Sequence, residues 1–154
     1  MLKSPMADRQ RVLILCTGNS ARSQMAEGLL REIGGDAFEV FSAGVEPSHL
    51  RPLAIEAMRE IGVDIAGHRS KSLDEFLDQE FAYVITVCDN ANERCPVFPG
   101  AVKRIHWSIE DPAAVEGDLQ NQLAIFRRVR NEIETRIREF VELYRRPASD
   151  YEKK

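Results

Sequence analysis

Short runs of apolar residues alternate along this chain with longer stretches in which apolar positions recur every three or four residues. Runs at 12–15, 38–44 and 81–87 are typical of strands, and a fourth strand is predicted at 103–107. The first run is apolar at every position, which is typical of a strand covered on both faces. Strands that alternate with helices predict an α/β fold: a single domain with a four-stranded parallel sheet flanked by helices on both faces.

Helices are predicted between these strands, and glycine and proline mark their ends. The first helix follows the first strand and ends at Gly34 and Gly35, and the second begins at Pro52 and ends before Gly62. A brief helix is predicted at 72–78, where Ser72 to Glu75 resemble a capping box.

One long amphipathic helix, from Leu119 to Tyr144, completes the predicted domain, which spans residues 11–146. Both ends of the chain lack such periodicity, so residues 1–10 and 147–154 are predicted to form disordered tails. A polar segment at 88–96 is predicted to be a loop.

Length and composition favour one domain without a membrane or nucleic-acid partner. A chain of 154 residues can bury a core of its own, and 44% hydrophobic with 30% charged residues is ordinary for a globular protein. No stretch approaches the roughly 20 consecutive apolar residues of a membrane span, and the first residues do not resemble a signal peptide. A net charge of −4 argues against nucleic-acid binding. We therefore expect a cytoplasmic protein that acts as a monomer.

The three cysteines, Cys16, Cys88 and Cys95, are too few and odd in number for the disulfide framework of a secreted protein. This count favours redox or nucleophilic chemistry. Cys16 and Cys88 each follow a predicted strand directly, and Asp111 comes soon after the fourth strand. Because the carboxyl ends of parallel strands meet at one edge, we expect all three at the edge where α/β proteins bind ligands.

The segment after the first strand has the features of an anion-binding loop. Cys16 ends the strand and Arg22 opens the next helix, so the N–H groups between them converge near a helix N-terminus. This setting suits a reactive thiolate on Cys16, and the Arg22 fork can bind two oxygens of a tetrahedral oxyanion. The residues expected to bind the oxyanion are Thr17, Gly18, Asn19, Ser20, Ala21, Arg22 and Ser23.

Single residues of this loop have further expected roles. Gly18 lets the backbone approach a ligand closely, and Asn19 tolerates left-handed geometry and bonds within the loop. The Ser23 hydroxyl either donates to the Cys16 sulfur or caps the helix. Two plainer interpretations are a buried structural cysteine and a nucleotide P-loop, although the lysine of the latter motif is absent.

A cysteine, five residues and Arg22-Ser23 after the first strand resemble the signature of the low-molecular-weight protein tyrosine phosphatases. The order of strands and helices is similar to that family over residues 11–144. In the phosphatases an Asp-Pro turn supplies the general acid, and aromatic residues follow it. Here Asp111-Pro112 is followed by Ala113-Ala114, so the acid is kept and the aromatic wall is missing. On its own, such an Asp-Pro pair is an ordinary turn signal.

The segment from Cys88 to Asp111, with its Cys-Pro and His-Trp elements, resembles the thioredoxin-coupled arsenate reductases of the same fold. The resemblance implies that Cys16 attacks arsenate, Asp111 assists the departure of hydroxide, and Cys88 then attacks Cys16 so that arsenite leaves. Cys95 next attacks Cys88, and thioredoxin reduces the resulting disulfide as the external reductant. Phosphate and sulfate are the expected analogue ligands, and no bound cofactor is implied. Sulfurs that must approach in turn favour a flexible loop between Cys88 and Cys95 over a rigid helix.

Other functions stay open for the same residues. A phosphatase acting on phosphotyrosine or a small phosphoester would use Cys16 and Asp111, with Cys88 and Cys95 only protecting Cys16 from oxidation. A non-catalytic oxyanion or redox sensor would expose the cysteines to a partner, but it would have no use for a general acid. A zinc site at Cys88, Cys95 and His106 lacks the usual C-x-x-C pair, so no metal is expected.

The resemblance implies one further site. Some of these reductases bind a potassium ion through residues that match Asn19, Glu27 and Ser42, together with a carboxylate in the connector. Lys71 stands where that carboxylate is expected, which argues against a cation site in this chain.

Overall fold

The structure, a computed structural model, describes residues 9–145. The strands are β1 (Gln10–Cys16), β2 (Phe38–Gly44), β3 (Tyr83–Thr86) and β4 (Lys103–His106). The α-helices are α1 (Arg22–Gly34), α2 (Pro52–Arg59), α3 (Asp89–Glu93) and α4 (Leu119–Tyr144). Short 3-10 helices lie at Gly35–Ala37, Leu73–Phe76 and Pro112–Ala114.

The strands form one parallel sheet in the order β2-β1-β3-β4, which confirms the predicted four-stranded parallel sheet. β1 is central, because Leu15 lies beside Ala43 of β2 and beside Thr86 of β3. Every residue from Val12 to Cys16 is buried, so both faces of β1 are covered, as is usual in parallel sheets. The carboxyl ends of β1, β2 and β3 therefore meet at one edge.

Different helical segments cover the two faces of the sheet. On one face, Phe38 of β2 and Tyr83 of β3 contact Phe140 of α4, with ring centroids 5.3 and 5.1 Å apart. Helices α1 and α2 contact α4. On the opposite face, Phe41 of β2 contacts Phe76 of a 3-10 helix at 5.7 Å. Helical segments therefore lie on both faces, as predicted.

The helix ends follow the glycine and proline signals closely. α1 ends at Gly34, and Gly35 adopts a φ of 54°, a left-handed conformation that suits glycine. Pro52 is the first residue of α2, which ends at Arg59, somewhat earlier than predicted. α4 has the predicted bounds, and Asp118 caps its first turn by accepting the N–H of Asn121 at 2.8 Å.

Two predictions were wrong. Residues 9 and 10 belong to the fold and not to a tail, because Gln10 opens β1 and its amide donates to the Tyr144 carbonyl at 2.5 Å. The segment 88–96 is not a loop throughout, because Asp89–Glu93 forms α3. The Cys88 sulfur caps this helix by accepting the N–H of Ala91 at 3.4 Å. The Asn-rich composition of the segment does not reveal this capping role of Cys88.

Several predicted elements differ only in length. β3 and β4 are shorter than the predicted runs at 81–87 and 103–107, and the brief helix predicted at 72–78 is the 3-10 helix Leu73–Phe76. Residues 1–8 and 146–154, which hold most of the predicted tails, lie outside the described residues. Within residues 9–145, no helix is long and apolar enough to cross a membrane.

Candidate active site

Cys16 lies at the carboxyl end of β1 and is only 2% exposed. Its Sγ accepts a hydrogen bond from the backbone N–H of Asn19 at 3.1 Å and lies 2.8 Å from the Ser23 hydroxyl. The Ser23 oxygen accepts the Asn19 side-chain amide at 2.7 Å, so its own proton is free to point at the sulfur. The expected contact between Ser23 and Cys16 is present, while Ala21 holds the helix-cap position.

Asn19 shapes this loop from behind. Its φ of 48° is the only positive value of a non-glycine residue among residues 9–145. Its side-chain amide donates to the Ser42 hydroxyl at 2.9 Å, and its Oδ1 accepts the backbone N–H of Lys71 at 2.8 Å. The expected left-handed geometry and bonding within the loop are therefore both present.

Residues 16–23, here called the cradle, are anchored to the segment that follows β2. Carbonyl oxygens of the cradle accept backbone N–H groups of that segment at 2.8–3.2 Å, in the pairs Cys16 with Val45, Thr17 with Glu46, Gly18 with Ser48 and Ser20 with Arg51. In a trans peptide the N–H points away from the carbonyl oxygen. The N–H groups that follow these four carbonyls therefore point away from the segment after β2. N–H groups fixed in this way form an anion-binding concavity.

Gly44 is essential to this arrangement, and the sequence analysis did not single it out. It lies at the end of β2 beside Cys16. A Cβ at this position would lie 2.6 Å from the Thr17 carbonyl oxygen and 2.8 Å from the Asn19 nitrogen, closer than backbone atoms allow. Only glycine therefore lets β2 approach the cradle, and a glycine that ends a strand was the available sequence signal.

A cavity of about 230 Å³ lies at this edge of the sheet. Its lining consists of Cys16, Thr17, Gly18, Ser20, Ala21, Arg22, Glu46, Ser48, Arg51 and Asp111. Most residues predicted to bind an oxyanion therefore line it, while the buried side chains of Asn19 and Ser23 lie behind it. Glu46, Ser48 and Arg51 were not predicted.

Arg22 and Asp111 come together in this cavity, as predicted. The Arg22 guanidinium donates to the Ile109 carbonyl at 3.0 Å and lies 3.9 Å from the Asp111 carboxylate. The other carboxylate oxygen of Asp111 accepts the N–H of Ala113 at 3.0 Å and caps a 3-10 helix. Asp111 therefore has the turn role that an Asp-Pro pair suggests. Because 45% of its side chain is exposed, it is also accessible to a ligand as a proton donor.

Cys88 lies at the same edge, on the neighbouring strand. Leu15 pairs with Thr86, so Cys88 follows β3 one position beyond the level of Cys16. Its Sγ lies 3.3 Å from the hydroxyl of Thr17, which accepts the side-chain amide of Asn90 at 3.1 Å. The residue directly after the first cysteine thus contacts the second cysteine.

Cys95 is separated from Cys88 by α3. The helical rise of the five residues of α3 is about 7.5 Å, whereas the Cα atoms of a disulfide lie about 4.4–6.8 Å apart. All three cysteines are free, and the Cys95 Sγ lies 3.6 Å from the Pro96 carbonyl oxygen. Burial raises the pKa of the Cys95 thiol, and Arg104 opposes this shift. A disulfide between Cys88 and Cys95 therefore requires α3 to unwind.

Polar contacts with the end of the sheet hold the first turn of α3. Asp89 Oδ1 lies 2.9 Å from His106 Nε2 and accepts the Ser108 hydroxyl at 3.1 Å, and these two bonds hold the pKa of Asp89 below its ordinary value. The other ring nitrogen of His106 lies 2.7 Å from the Thr86 hydroxyl. His106, which the sequence does not favour as a zinc ligand, contacts α3. Within residues 9–145, no group of three or more His, Cys, Asp or Glu side chains is placed to hold a metal ion.

Glu27 lies behind the cradle, is 2% exposed and faces cationic side chains. Its carboxylate lies 2.6 Å from the Arg31 guanidinium and 3.7 Å from the Lys71 ammonium, and it accepts the Ser42 hydroxyl. Burial lowers the pKa of Lys71, and Glu27 opposes this shift. Asn19, Glu27 and Ser42 are therefore close together, but an ammonium already faces their carboxylate, so they do not fit a further cation.

Comparison with known proteins places the chain in a family. Residues 11–149 match the family described as low molecular weight phosphotyrosine protein phosphatase. The chain is 44% identical over 135 residues to an arsenate reductase of Halalkalibacterium halodurans, and the match covers 88% of this chain and 97% of that protein.

Solved structures agree with this match. An arsenate reductase in a phosphate-binding state is similar with a TM-score of 0.68 and 31% identity, covering 86% of this chain and 97% of that one. A thioredoxin-dependent arsenate reductase of Corynebacterium glutamicum is similar with a TM-score of 0.67 and 33% identity, covering 89% of this chain and 64% of that one. The chain therefore belongs to the low molecular weight phosphotyrosine protein phosphatase family.

Proposed function

We propose that this protein reduces arsenate to arsenite, using Cys16, Cys88 and Cys95 in turn and thioredoxin as the external reductant. The observation that carries the proposal is the 3.3 Å contact between Thr17 of the cradle and the Cys88 sulfur. A phosphatase needs one thiolate, whereas a second thiol beside the cradle supplies a nucleophile that can attack the first sulfur. The similarity to proteins named arsenate reductase supports the proposal.

In the first step, the Cys16 thiolate attacks the arsenic atom of arsenate, and an S–As bond forms. The cradle N–H groups and the Arg22 guanidinium hold the oxygen atoms of the oxyanion and stabilise the charge that develops on them. Asp111 gives a proton to the departing hydroxide, which leaves as water.

In the second step, the Cys88 thiolate attacks the Cys16 sulfur. A disulfide between Cys16 and Cys88 forms, the S–As bond breaks, and its electron pair goes to arsenic. Arsenic leaves in the trivalent state as arsenite, so the two thiolates supply the two electrons of the reduction.

In the third step, α3 unwinds and the Cys95 thiolate attacks the Cys88 sulfur. Cys16 leaves as a thiolate and is ready for another arsenate, while the disulfide now joins Cys88 and Cys95. The thioredoxin dithiol reduces this disulfide and becomes oxidised itself.

The relay is tested by arsenate-dependent NADPH oxidation in the presence of thioredoxin and thioredoxin reductase. We expect turnover by the wild type and none by Cys16→Ser, Cys88→Ser or Cys95→Ser. A single-turnover assay without thioredoxin separates the steps. Cys95→Ser should release one arsenite per protein and accumulate the disulfide between Cys16 and Cys88, whereas Cys88→Ser should release none. Full coupled turnover by Cys95→Ser would contradict the relay.

Hydrolysis of phosphotyrosine or a small phosphoester is a second candidate, favoured by the position of Asp111 in the cavity beside Arg22. This activity requires Cys16 and Asp111 but neither Cys88 nor Cys95. Hydrolysis of p-nitrophenyl phosphate should therefore be lost in Cys16→Ser and kept in Cys88→Ser. Ester hydrolysis without any arsenate turnover would replace the first candidate by the second.

A further inference from the structure

Arg51 lines the oxyanion cavity together with Cys16 and Asp111, although no sequence motif points to it. It is the residue directly before α2, and its backbone N–H donates to the Ser20 carbonyl at 2.9 Å. This hydrogen bond ties the main chain of Arg51 to the cradle, so its side chain starts from a fixed point of the cavity wall.

The Arg51 guanidinium has no hydrogen-bond or ion-pair partner within residues 9–145, and its Nε is buried. The two carboxylates that line the cavity are engaged elsewhere. Glu46 pairs with Arg94 at 2.8 Å, and Asp111 lies 3.9 Å from Arg22. A buried N–H without a partner is rare and costly, so the Arg51 guanidinium has donor capacity that the described residues do not use.

The other surroundings of Arg51 offer little to its donors. Arg51 also lines a second cavity, whose wall is mostly apolar and includes Pro52, Leu53 and Pro112. Gln122 is the one residue of that wall besides Arg51 with a polar side chain, and it makes no hydrogen bond with Arg51. The other side chains there accept no hydrogen bonds, whereas an anion in the cavity beside Cys16 can accept from the Arg51 guanidinium.

We propose that Arg51 is a second oxyanion-binding guanidinium, which donates to oxygen atoms that the cradle and Arg22 leave free and makes the cavity selective for doubly charged tetrahedral oxyanions. The inference rests on the proposed function and states what that site discriminates. The ionisable groups that line the cavity are Cys16, Arg22, Glu46, Arg51 and Asp111. A dianion gains one more charge-assisted contact with the second guanidinium than a monoanion does.

Anion binding by the reduced protein tests this proposal, with inorganic phosphate and sulfate as calorimetric probes. The variants are Arg51→Gln, Arg51→Lys and the control Arg59→Gln, which removes an exposed arginine paired with Glu56 on the same helix. Loss of the charge-assisted hydrogen bonds should weaken phosphate binding by Arg51→Gln about 10- to 100-fold. Arg51→Lys should fall between Arg51→Gln and the wild type, and Arg59→Gln should bind like the wild type.

The pH dependence of binding separates recognition of a dianion from general attraction. Phosphate gains its second charge near neutral pH, whereas sulfate is doubly charged throughout that range. In the wild type, phosphate affinity relative to sulfate affinity should rise with pH, and this rise should be smaller in Arg51→Gln. An equal rise of this affinity ratio in the wild type and in Arg51→Gln would overturn the proposed role of Arg51 in selecting dianions.

Two further readouts distinguish a ligand-binding role from a structural one. Arg51→Gln should raise the KM for arsenate by the same factor as it weakens phosphate binding, with a much smaller change in kcat. The melting temperature of the ligand-free variant should equal or exceed that of the wild type, because an unpaired buried group is removed. A lower melting temperature with unchanged phosphate affinity would overturn the proposal. Because anion binding needs no turnover, absence of arsenate reduction in the wild type would overturn the proposed function alone.

Discussion

The cradle and the α3 segment present their cysteines at the same edge of the sheet, but they are held in opposite ways. Four carbonyls of the cradle are bound to the segment after β2, and Cys16, Asn19 and Ser23 are buried. The α3 segment is held by side-chain contacts alone. Asp89 and Asn90 make them near its start, and at its exposed end Arg94 pairs with Glu46.

This difference fits two tasks of the proposed reaction. Binding an oxyanion in a reactive orientation tolerates little displacement, so the cradle gains from many fixed backbone contacts. Passing a disulfide from one sulfur pair to another needs movement, so α3 gains from being only locally stable. The predictions below disturb first the cradle and then α3.

The largest effect is expected for Gly44→Ala. The added methyl group must displace the Thr17 carbonyl or the Asn19 N–H, which distorts the cradle. We expect a loss of about 100-fold or more in kcat/KM for arsenate, since misplacement of about 1 Å has effects of that size. Gly67→Ala is the matched control, because nothing lies within 4 Å of a Cβ at that position. Similar activity in the two variants would contradict the close approach of β2.

A smaller effect is expected for Ala91→Gly in α3, and this substitution should accelerate a step of the reaction instead of slowing it. Glycine within a helix costs about 1 kcal/mol relative to alanine, so α3 should unwind about fivefold more readily. Transfer of the disulfide from Cys16 and Cys88 to Cys88 and Cys95, followed by thiol trapping and mass spectrometry, should accelerate accordingly. The KM for arsenate should stay unchanged. A slower transfer would show that intact α3, and not its opening, is required.

His106→Ala should loosen α3 more mildly, because exposed charge contacts are weak, by about two- to fivefold. Hydrogen exchange of the α3 amides measures the opening, and exposed His49→Ala is the control. The lowered pKa of Asp89 gives the sign of the pH dependence. The stabilisation of α3 by Asp89 is complete when the pH lies above the ordinary pKa of a carboxyl group, and it is lost as the pH falls through the lowered pKa of Asp89. Opening in the wild type should therefore increase in acid, and the variant should show less of this increase.

The smallest expected effect is on the pH dependence of Cys95 alkylation. Because burial raises the pKa of this thiol, alkylation by iodoacetamide should be slow at neutral pH and reach half its maximal rate at a higher pH than for a free thiol. Arg104→Gln removes the group that opposes this shift and should move the midpoint slightly higher still. A midpoint below that of a free thiol would show that α3 is already open in solution.

The cradle could be predicted from the sequence because its determinants are local. A buried strand, a short loop and Arg22 at the helix start lie within a few residues of one another. The meeting of Cys16 with Cys88 and Asp111 also followed, since parallel strands bring their carboxyl ends to one edge.

The remaining features depend on contacts between distant segments. Gly44 is needed because β2 approaches the cradle closely. Arg51 lies at the cavity because the start of α2 is bound to the cradle. α3 is a helix because Cys88 caps it and because Asp89 has partners at the end of β4 and just after it. Propensity favours a loop for residues rich in Asp and Asn, so local patterns could not reveal this helix.

The Cys88 sulfur, which accepts the N–H of Ala91, gives the proposed reaction an internal order in time. In the proposed relay, the cap is intact and Cys95 is kept apart while arsenic is bound to Cys16. The bond that expels arsenite draws the same sulfur toward Cys16 and takes away the acceptor of the helix. In the proposed relay, formation of the disulfide at the Cys88 sulfur therefore releases Cys95, and the external reductant is consumed only after the oxyanion has been reduced.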